Sequence, residues 1–286
     1  MFCQWELTCR CNLRCVMCYT DCFNTPEKVR TELTTSEILR IMDEMKEAGL
    51  AELCLTGGEP FARPDFFEIY EHAVRGGLIV TIFTNGTLIT EEVADRLAAL
   101  PPFSVEISLH GTSAGTFEQV TLGKGSFDKC MKGIELLTSR RIPLLLKVTA
   151  MTVNHPEVLA VKKYAMGLEG VKFKMNVRMQ PDLEGSTAPS QYELTEHEID
   201  RLFEKESKLA EEACESRCRE ASCASGKYKF HIDAYGQMQL CSGNRRGGYD
   251  LRNGSFKEGF EKVLPTLPCP FKPKLALQTV DEGLHV

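Results

Sequence analysis

The chain has 286 residues, of which 43% are hydrophobic and 26% charged, and its formal net charge is −6. This composition is typical of a folded globular protein of one or two domains and excludes disordered and collagen-like chains. The excess of acidic residues argues against a nucleic-acid partner, and no apolar segment is long enough to cross a membrane. Because the N-terminus also lacks the pattern of a secretion signal, we expect a cytoplasmic protein with no membrane partner.

Short apolar strands and amphipathic helices alternate along the first part of the chain. The hydrophobic pattern predicts six strands, over residues 4–8, 51–56, 78–83, 103–109, 143–150 and 171–177. It predicts five helices between them, beginning with the capping sequence Thr34–Glu37 and continuing over 64–74, 91–100, 127–140 and 156–166. Repeated strand–helix–strand units form a parallel sheet, and six are too few for an eight-stranded barrel. We therefore expect an α/β fold, a partial (β/α)6 TIM barrel open on one side.

The rest of the chain predicts a smaller C-terminal part. The pattern indicates a linker over residues 183–192 and a polar helix over residues 195–215. It then indicates a β-hairpin over residues 230–240 and a short helix over residues 255–263. We therefore expect three parts: a barrel over residues 1–182, a linker with its helix over residues 183–215, and a small C-terminal domain over residues 216–286.

The thirteen cysteines are the unusual feature of the composition. Six lie in the first 22 residues and five in the last 73, whereas only Cys54 and Cys130 lie between. A disulfide framework belongs to short secreted chains and needs an even number of cysteines. Two separate cysteine clusters in a reducing compartment instead indicate metal centres. The two isolated cysteines fall in a predicted strand and a predicted helix and are expected to be buried core residues.

The first cysteine cluster contains Cys11, Cys15 and Cys18, directly after the first predicted strand. Thiolates are the usual ligands of iron–sulfur clusters, and three of them suit a four-iron cluster that leaves one iron open to a substrate or cofactor. A zinc site and unligated buried cysteines are the alternatives. Zinc loops usually contain Cys-x2-Cys pairs, so the spacing favours an iron–sulfur cluster.

Four motifs of this sequence resemble those of the radical S-adenosylmethionine (radical SAM) enzymes. They are Cys11-x3-Cys15-x2-Cys18 followed by Tyr19, the Gly-Gly-Glu-Pro sequence of residues 57–60, Phe83–Thr87 and Ile107–Gly111. Each motif follows a predicted strand, in the order of the family, and the similarity extends over residues 3–180. The resemblance implies the fold of that family, a partial barrel with its chemistry at the carboxyl ends of the strands.

The resemblance also implies a mechanism. Cys11, Cys15 and Cys18 would hold a [4Fe–4S] cluster whose open iron binds the amine and carboxylate of S-adenosylmethionine (SAM). One electron from the reduced cluster would cleave SAM to a 5′-deoxyadenosyl radical, which abstracts a hydrogen atom from the substrate. The residues expected to bind SAM are Tyr19, Gly57, Gly58, Glu59, Pro60, Asn85, Ser108, Lys147 and Met179.

These residues are expected to contact different parts of SAM. The Gly57–Pro60 segment would meet the amine with backbone carbonyls and with Glu59, since glycine lets the backbone approach closely. Ser108 and Lys147 are expected to contact the ribose or the carboxylate. Tyr19 and Met179 are expected to contact the adenine, and Asn85 is expected to contact the ribose. A packing or turn role at a strand end is the alternative for each residue.

The C-terminal cysteines resemble the opening of a twitch or SPASM extension, which carries auxiliary iron–sulfur clusters. Cys223 is followed by twelve residues, Gly236, four more residues and Cys241. A full SPASM extension continues with four further cysteines, and only Cys269 follows here. The resemblance therefore implies the shorter, twitch-like form with one auxiliary [4Fe–4S] cluster, and zinc is the alternative metal. The expected ligands are Cys218, Cys223, Cys241 and Cys269, with Cys214 as the alternative to Cys218.

Proteins with these features mostly modify ribosomally synthesised peptides, by crosslinking, epimerisation or oxidation, and we expect such a peptide as substrate. The alternatives are a radical SAM dehydrogenase or epimerase of a small carbohydrate or aminocyclitol, and a non-catalytic electron-transfer module. Because only ten residues precede Cys11, a peptide substrate would need a separate leader-peptide-binding protein. Ferredoxin or flavodoxin is the expected reductant. The sequence identifies neither a hydrogen donor nor a catalytic acid or base.

Overall fold

The computed structural model describes residues 1–20, 26–179, 187–205, 225–245 and 247–268. The strands are β1 (Phe2–Glu6), β2 (Glu52–Thr56), β3 (Ile79–Thr84), β4 (Ser104–Ser108), β5 (Leu144–Thr149), β6 (Lys172–Asn176), β7 (Lys229–Ile232), β8 (Gln237–Gln239) and β9 (Tyr249–Asp250). The α-helices are α1 (Pro26–Arg30), α2 (Thr35–Glu47), α3 (Phe66–Arg75), α4 (Glu91–Ala99), α5 (Ala114–Thr121), α6 (Ser126–Ser139), α7 (Val158–Met166), α8 (Glu196–Lys205) and α9 (Phe256–Glu258). Among the helices described, none has the length and apolar character needed to cross a membrane.

All of these strands form one sheet, in the order β6-β5-β4-β3-β2-β1-β7-β8-β9. The first six strands are parallel to their neighbours, which confirms the predicted α/β fold with six consecutive parallel strands. β7 pairs in parallel with the other side of β1, with His231 opposite Gln4, and continues into antiparallel β8 and β9. The C-terminal hairpin therefore extends the sheet of the barrel, and the division into three parts stays a prediction.

The predicted start of the first long helix is confirmed by its capping box. The Thr34 side chain accepts from the Glu37 N–H, and the Glu37 carboxylate accepts from the Thr34 N–H at 2.7 Å. Helix α5 was not predicted, because its short segment contains Gly115 and two threonines and has little helical propensity. It is stabilised from outside by Glu157, which accepts hydrogen bonds from the N–H groups of Thr112 and Ser113.

Strands β3, β4 and β5 bury the residues of one face and leave most residues of the opposite face partly exposed. In β4, Val105 and Ile107 are fully buried, whereas Glu106 and Ser108 alternate with them and are half-buried. Cross-strand partners share a face of a sheet, so Lys147, which pairs with Ser108, belongs to the same face. The concave face of the sheet therefore carries the polar side chains of Glu106, Ser108 and Lys147 towards the carboxyl ends of β4 and β5.

Candidate functional site

The cysteine loop, Cys9–Cys18, begins just after β1 and lies against the turn that follows β2. The N–H of Gly58 donates to the carbonyl oxygen of Thr8 at 2.8 Å. Gly57 has a φ of +151°, and a Cβ added to it would overlap the same carbonyl oxygen. Glycine is therefore required for the two segments to lie this close together.

The far end of the cysteine loop is held by helix α5. The N–H of Arg14 donates to the Thr121 carbonyl at 3.1 Å, and the N–H of Val16 donates to the Val120 carbonyl at 2.9 Å. Backbone groups of the loop thus form hydrogen bonds with two elements that are distant in the sequence, the turn after β2 and helix α5. The loop has a defined shape because of these contacts.

The three cysteines of the predicted cluster are close enough to influence one another. Burial raises the pKa of Cys11 to about 11. Burial and the neighbouring Cys18 and Cys11 thiols together raise the pKa of Cys15 to about 12. The N–H of Cys18 donates to the Cys15 carbonyl at 3.0 Å, which forms the turn between these two residues. Thiols with raised pKa values are protonated at neutral pH, so metal binding here must release protons.

Glu59 is fully buried in the turn after β2. Its N–H donates to the Arg10 carbonyl at 2.7 Å. Its carboxylate accepts hydrogen bonds of 2.7 Å from the Thr84 hydroxyl and from the Asn85 N–H. Burial raises the pKa of Glu59 to about 7, although the hydrogen bonds from Asn85, Thr84 and Phe61 oppose this shift. An ammonium group placed nearby would favour the charged carboxylate.

Asn85 connects the end of β3 to the cysteine loop. Its side-chain nitrogen donates to Asn12 Oδ1 at 2.9 Å and lies 4.0 Å from the Cys11 sulfur. Its side-chain oxygen accepts from the N–H of Thr87 at 2.9 Å and from the Thr87 hydroxyl at 2.6 Å. The structure therefore brings Cys11, Glu59 and Asn85 together, as three motifs far apart in the sequence.

Ser108 and Lys147 are cross-strand partners at the ends of β4 and β5. The Lys147 Nζ lies 3.1 Å from the Glu106 carboxylate and 3.2 Å from the centroid of the Phe83 ring. Burial lowers the pKa of Lys147, although the Glu106 carboxylate opposes the shift. This amine thus has a carboxylate partner within the chain, and its contact with SAM stays a prediction.

Tyr19 and Met179, the two residues predicted to contact adenine, lie beside different elements. Tyr19 follows Cys18, and the guanidinium carbon of Arg245 lies 6.0 Å from the centroid of its ring. Met179 follows β6, and its N–H donates to the Glu193 carboxylate at 2.7 Å. The structure associates Tyr19 with the C-terminal hairpin region and Met179 with the segment before α8.

A family model described as the Radical SAM superfamily matches residues 5–160, more than half of the chain. The chain belongs to the radical SAM superfamily. It is therefore a radical SAM enzyme, and membership implies SAM and a [4Fe–4S] cluster as cofactors. The family resemblance of the four motifs is confirmed by this match.

Two relatives of this radical SAM enzyme differ in how much of it they match. An AdoMet-dependent heme synthase of Methanosarcina barkeri (strain Fusaro / DSM 804) is 33% identical over 280 residues, which cover 95% of this chain and 77% of that protein. The mycofactocin maturase MftC of Mycobacterium tuberculosis (strain ATCC 25618 / H37Rv) is 38% identical over 135 residues, which cover 47% of this chain and 34% of the maturase. The second match therefore covers about a third of the maturase's length.

Solved structures agree on the fold. The crystal structure of SuiB from Streptococcus suis has a TM-score of 0.72 at 13% identity and covers 92% of this chain and 66% of SuiB. The structure of anSMEcpe with bound AdoMet has a TM-score of 0.65 at 18% identity and covers 93% of this chain and 81% of that one. At these identities the likeness shows the fold alone, and it confirms the expected partial TIM barrel.

The donor set of the cysteine loop fits the cluster that the superfamily implies. Cys11, Cys15 and Cys18 are partly exposed thiols in one loop. In the described part of the chain, no three Cys, His, Asp or Glu side chains are placed as ligands of a single metal ion. In a four-iron cluster each thiolate binds a different iron, so its cysteines do not converge on one point.

The auxiliary cluster stays a prediction. Of its expected ligands, only Cys241 belongs to the described residues. Cys218, Cys223 and Cys269 lie outside them, and so does Cys214, the alternative to Cys218. The N–H of Asn244 donates to the Cys241 carbonyl at 3.2 Å, and the Asn244 side chain donates to the Pro268 carbonyl at 2.8 Å. The residue directly before Cys269 in the sequence is therefore held at the Cys241 turn.

A buried charged cluster near the site was not found by sequence reasoning. It consists of Glu6, His231 and Arg245, which come from β1, from β7 and from the loop after Cys241. Glu6 is 2% exposed and His231 is fully buried. A carboxylate between Trp5 and Leu7 in a predicted strand is the signal that would have pointed to this cluster, because such a group needs a partner when it is buried.

Proposed function

We propose that this radical SAM enzyme removes a hydrogen atom from a ribosomally synthesised peptide and so crosslinks, epimerises or oxidises it. The observation that carries the radical chemistry is the three-cysteine loop held against Gly57 and Gly58 at the carboxyl ends of β1 and β2. The peptide substrate is supported by the similarity of part of this chain to a mycofactocin maturase, at 38% identity over 135 residues. SuiB, whose fold is similar, has been solved with its precursor peptide SuiA.

In this proposal Cys11, Cys15 and Cys18 hold the [4Fe–4S] cluster as thiolates. The loaded cluster supplies the electron that cleaves the carbon–sulfur bond of SAM. The protein contributes the shape of the loop and an open side from which SAM can approach. Because the pKa values of Cys11 and Cys15 are raised in the absence of metal, loading is expected to be favoured by higher pH.

Glu59 is proposed to bind the SAM ammonium group. Its carboxylate is already oriented by Thr84 and by the backbone of Asn85, so little conformational freedom is lost on binding. A positive ligand group lowers the pKa of a buried carboxyl group and makes it a carboxylate. Gly57, Gly58 and Pro60 contribute backbone that can approach the same group closely.

The remaining proposed SAM contacts surround that position on neighbouring elements. Asn85 is fixed beside Cys11 and would contact the ribose, and Ser108 with Lys147 would contact the ribose or the carboxylate. Tyr19 and Met179 would enclose the adenine from two sides. Lys147 must exchange or share its Glu106 partner to bind a carboxylate, since the two side chains are 3.1 Å apart.

A second candidate substrate, a heme precursor, is favoured by one observation. The AdoMet-dependent heme synthase of M. barkeri matches 95% of this chain, including the C-terminal part, whereas the maturase match covers 47%. In the described residues, the concave face also carries Lys172 and Lys174 of β6, which lie opposite Leu145 and Lys147. Cations on this face suit the carboxylate groups of an acidic substrate.

We also propose one auxiliary [4Fe–4S] cluster with Cys241 among its ligands. The contact of Asn244 with Pro268 supports this, because it holds the chain next to Cys269 at the Cys241 turn. A ferredoxin or flavodoxin is the proposed reductant. A separate leader-peptide-binding protein is the proposed partner for a peptide substrate.

Anaerobic reconstitution with iron and sulfide, followed by reduction, tests the proposal. Reduced protein should convert SAM to 5′-deoxyadenosine, and an intact SAM pool contradicts the cofactor assignments. Peptides encoded beside the gene and an iron porphyrin precursor are then supplied separately. A peptide product that has lost two hydrogen atoms, or has taken up solvent deuterium, supports the first candidate. Conversion of the porphyrin alone supports the second and overturns the first.

A further inference from the structure

The middle of the cysteine loop lies beside the turn that follows α5. The N–H of Arg14 donates to the carbonyl oxygen of Thr121, the last residue of α5, at 3.1 Å. A Cβ added to Gly123 would lie 2.6 Å from the Leu13 side chain. The residue directly before Cys15 is therefore next to the residues that follow the helix.

Leu122, between these two contacts, has an unusual backbone conformation. Its φ is +51°, in the left-handed region that leucine rarely adopts. Among the non-glycine residues of the described part of the chain, only Leu122 and Arg141 have a positive φ. The Leu122 side chain is 61% exposed, so burial does not offset the strain. Glycine or asparagine fits the end of a helix better, and a leucine held here in solvent is explained by a contact outside the chain.

The same surface is rich in positive charge. The whole chain has a net charge of −6, but residues 10–19 and 119–127 contain three basic residues and no acidic one. Two of the three, Arg14 and Lys124, are exposed. Glu118 is partly buried, and its carboxylate accepts from a backbone N–H of the turn at 2.7 Å. An exposed apolar residue between two exposed cations fits a protein partner with an acidic surface.

We propose that Arg14, Leu122 and Lys124, the rim patch, are the docking surface for an acidic electron-carrier protein. This inference rests on the proposed function, since an electron is needed here only if the loop holds the cluster. One electron passes from the carrier, which is oxidised, to the cluster, which is reduced, and no bond or proton is transferred. Complexes of this kind have small interfaces, in which charge raises the rate of encounter.

The rim patch lies away from the part of the loop that meets the proposed SAM site. The turn that carries Glu59 contacts the first residues of the loop, through the carbonyl oxygens of Thr8 and Arg10. A carrier on the rim patch instead approaches the loop at Arg14 and Cys15. The carrier and SAM can therefore bind at the same time, as reductive cleavage of SAM requires.

Two variants alter the rim patch, and a third is the matched control. Lys124→Glu reverses a charge, whereas Leu122→Asn removes an apolar side chain and suits the left-handed backbone. Lys257→Glu, at an exposed lysine of α9, is the control. The neighbouring Phe256 N–H donates to Glu44, near the end of α2. Because α2 leads to the amino end of β2, this control lies at the opposite edge of the sheet from the cysteine loop.

The first measurement is binding without turnover. Calorimetry with reconstituted, unreduced protein gives the dissociation constants of an oxidised flavodoxin and an oxidised ferredoxin. For the carrier that binds wild type, Lys124→Glu and Leu122→Asn should each raise the constant about fivefold. Lys257→Glu should change it by less than about twofold. Added salt should weaken wild-type binding and should affect Lys124→Glu less.

The second measurement separates docking from catalysis. SAM cleavage driven by a limiting amount of the reduced carrier should fall about fivefold in both rim-patch variants. Cleavage driven by dithionite, a small reductant that needs no docking surface, should be equal in all four proteins. Leu122→Asn should melt at or above the wild-type temperature, because it relieves a left-handed leucine. A lower melting temperature together with lost dithionite-driven activity would make Leu122 structural and overturn the inference.

The failures of the inference and of the proposed function are distinguishable. If dithionite drives SAM cleavage but neither carrier binds, the inference is overturned and the proposed function stands. The same holds if the rim-patch variants bind the carrier as tightly as Lys257→Glu does. If loaded wild-type protein does not cleave SAM even with dithionite, the proposed function is overturned, and the inference falls with it.

Discussion

β1 is connected to the site differently on its two sides. On the β2 side, backbone hydrogen bonds of 2.8 and 2.7 Å from Gly58 and Glu59 hold the residues that follow the strand. On the β7 side, the connection is the buried pair of Glu6 and Arg245. Backbone contacts depend on shape, whereas a buried charge needs its partner. The first side therefore holds the cysteine loop through its backbone, and the second holds the Arg245 side chain through its charge.

The two sides also shift the pKa of a buried carboxyl group in opposite directions. Burial raises the pKa of Glu59 to about 7, because its partners are neutral N–H and O–H donors. The pKa of Glu6 is lowered to about 2, because its partners His231 and Arg245 outweigh the effect of burial. The charge of the partner decides the sign of the shift, since both carboxyl groups are almost completely buried.

The largest effect is expected from Cys15→Ala. Removing one thiol should empty the cysteine loop of its cluster and reduce SAM cleavage to background, while iron bound through the C-terminal cysteines is retained. 5′-Deoxyadenosine formation and iron per chain measure the two outcomes. Cys130→Ala, at a buried thiol of α6, is the control and should keep both. SAM cleavage by Cys15→Ala protein would show that the proposed ligand set is wrong.

Gly57→Ala tests the backbone side of the comparison. Its Cβ would overlap the Thr8 carbonyl at a φ of +151°, so the free energy of unfolding should fall by more than about 2 kcal/mol. Urea unfolding of cofactor-free protein measures this loss. Gly115→Ala in α5 is the control, since nothing lies within 4 Å of its added Cβ. Equal stability of the two variants would mean that the close approach to the Thr8 carbonyl is not the reason for a glycine at position 57.

Glu6 should stabilise the protein above pH 4.5 and lose this effect as the pH falls towards 2. The reason is that its folded-state pKa, about 2, lies below its ordinary value of 4.5. The difference in unfolding free energy between wild type and Glu6→Gln should therefore shrink on acidification, by up to about 3 kcal/mol. Urea unfolding at a series of pH values measures it. A difference that stays constant from pH 6 to pH 3 contradicts the ionised pair.

Glu59 should show the opposite dependence in cofactor-free protein. Its folded-state pKa is raised from 4.5 to about 7, so the fold favours the neutral carboxyl group. Stability is then lost as the pH rises from 4.5 to 7, by up to about 3 kcal/mol relative to Glu59→Gln. The same urea series, run towards neutral pH, measures this slope. Parallel curves for wild type and Glu59→Gln would show that the carboxyl group does not titrate in this range.

The smallest effect is expected in the hairpin turn. Gly236 has a φ of +88°, and an added Cβ would lie 3.0 Å from Leu33 Cδ2. Gly236→Ala should therefore cost about 1 kcal/mol of unfolding free energy. The SAM dissociation constant should stay within about twofold of wild type, because none of the proposed SAM-binding residues lies in this turn. A larger change in binding would place the turn itself in the SAM site.

Local patterns predicted the strands well, but not their ends. The apolar pattern predicts the first strand over residues 4–8, whereas the ladder runs over Phe2–Glu6. The N–H of Leu7 still donates to the Thr56 carbonyl at 2.8 Å, so the buried pattern continues beyond the last paired residue. The sequence pattern marks which residues are buried, whereas the assigned end of a strand depends on its backbone pairing and varies by one or two residues.

Helix α5 shows what the sequence alone does not reveal. Its own residues have weak helical propensity, and its start is stabilised by Glu157, which lies far along the chain. The helix then provides the carbonyl groups that hold Arg14 and Val16 of the cysteine loop. Glu157 supports the site through partners that are distant in the sequence, so no local sequence pattern reveals its role.

The sequence by itself determined the parallel α/β fold, the cysteine spacing and the Gly-Gly-Glu-Pro turn, because strand alternation, ligand spacing and the need for glycine are local properties of the chain. Only the tertiary structure decided that β7 pairs with β1 and that Glu6 meets Arg245. These two residues are 239 positions apart. Their contact exists because a buried carboxylate needs a cationic partner, and only the folded sheet brings one within reach.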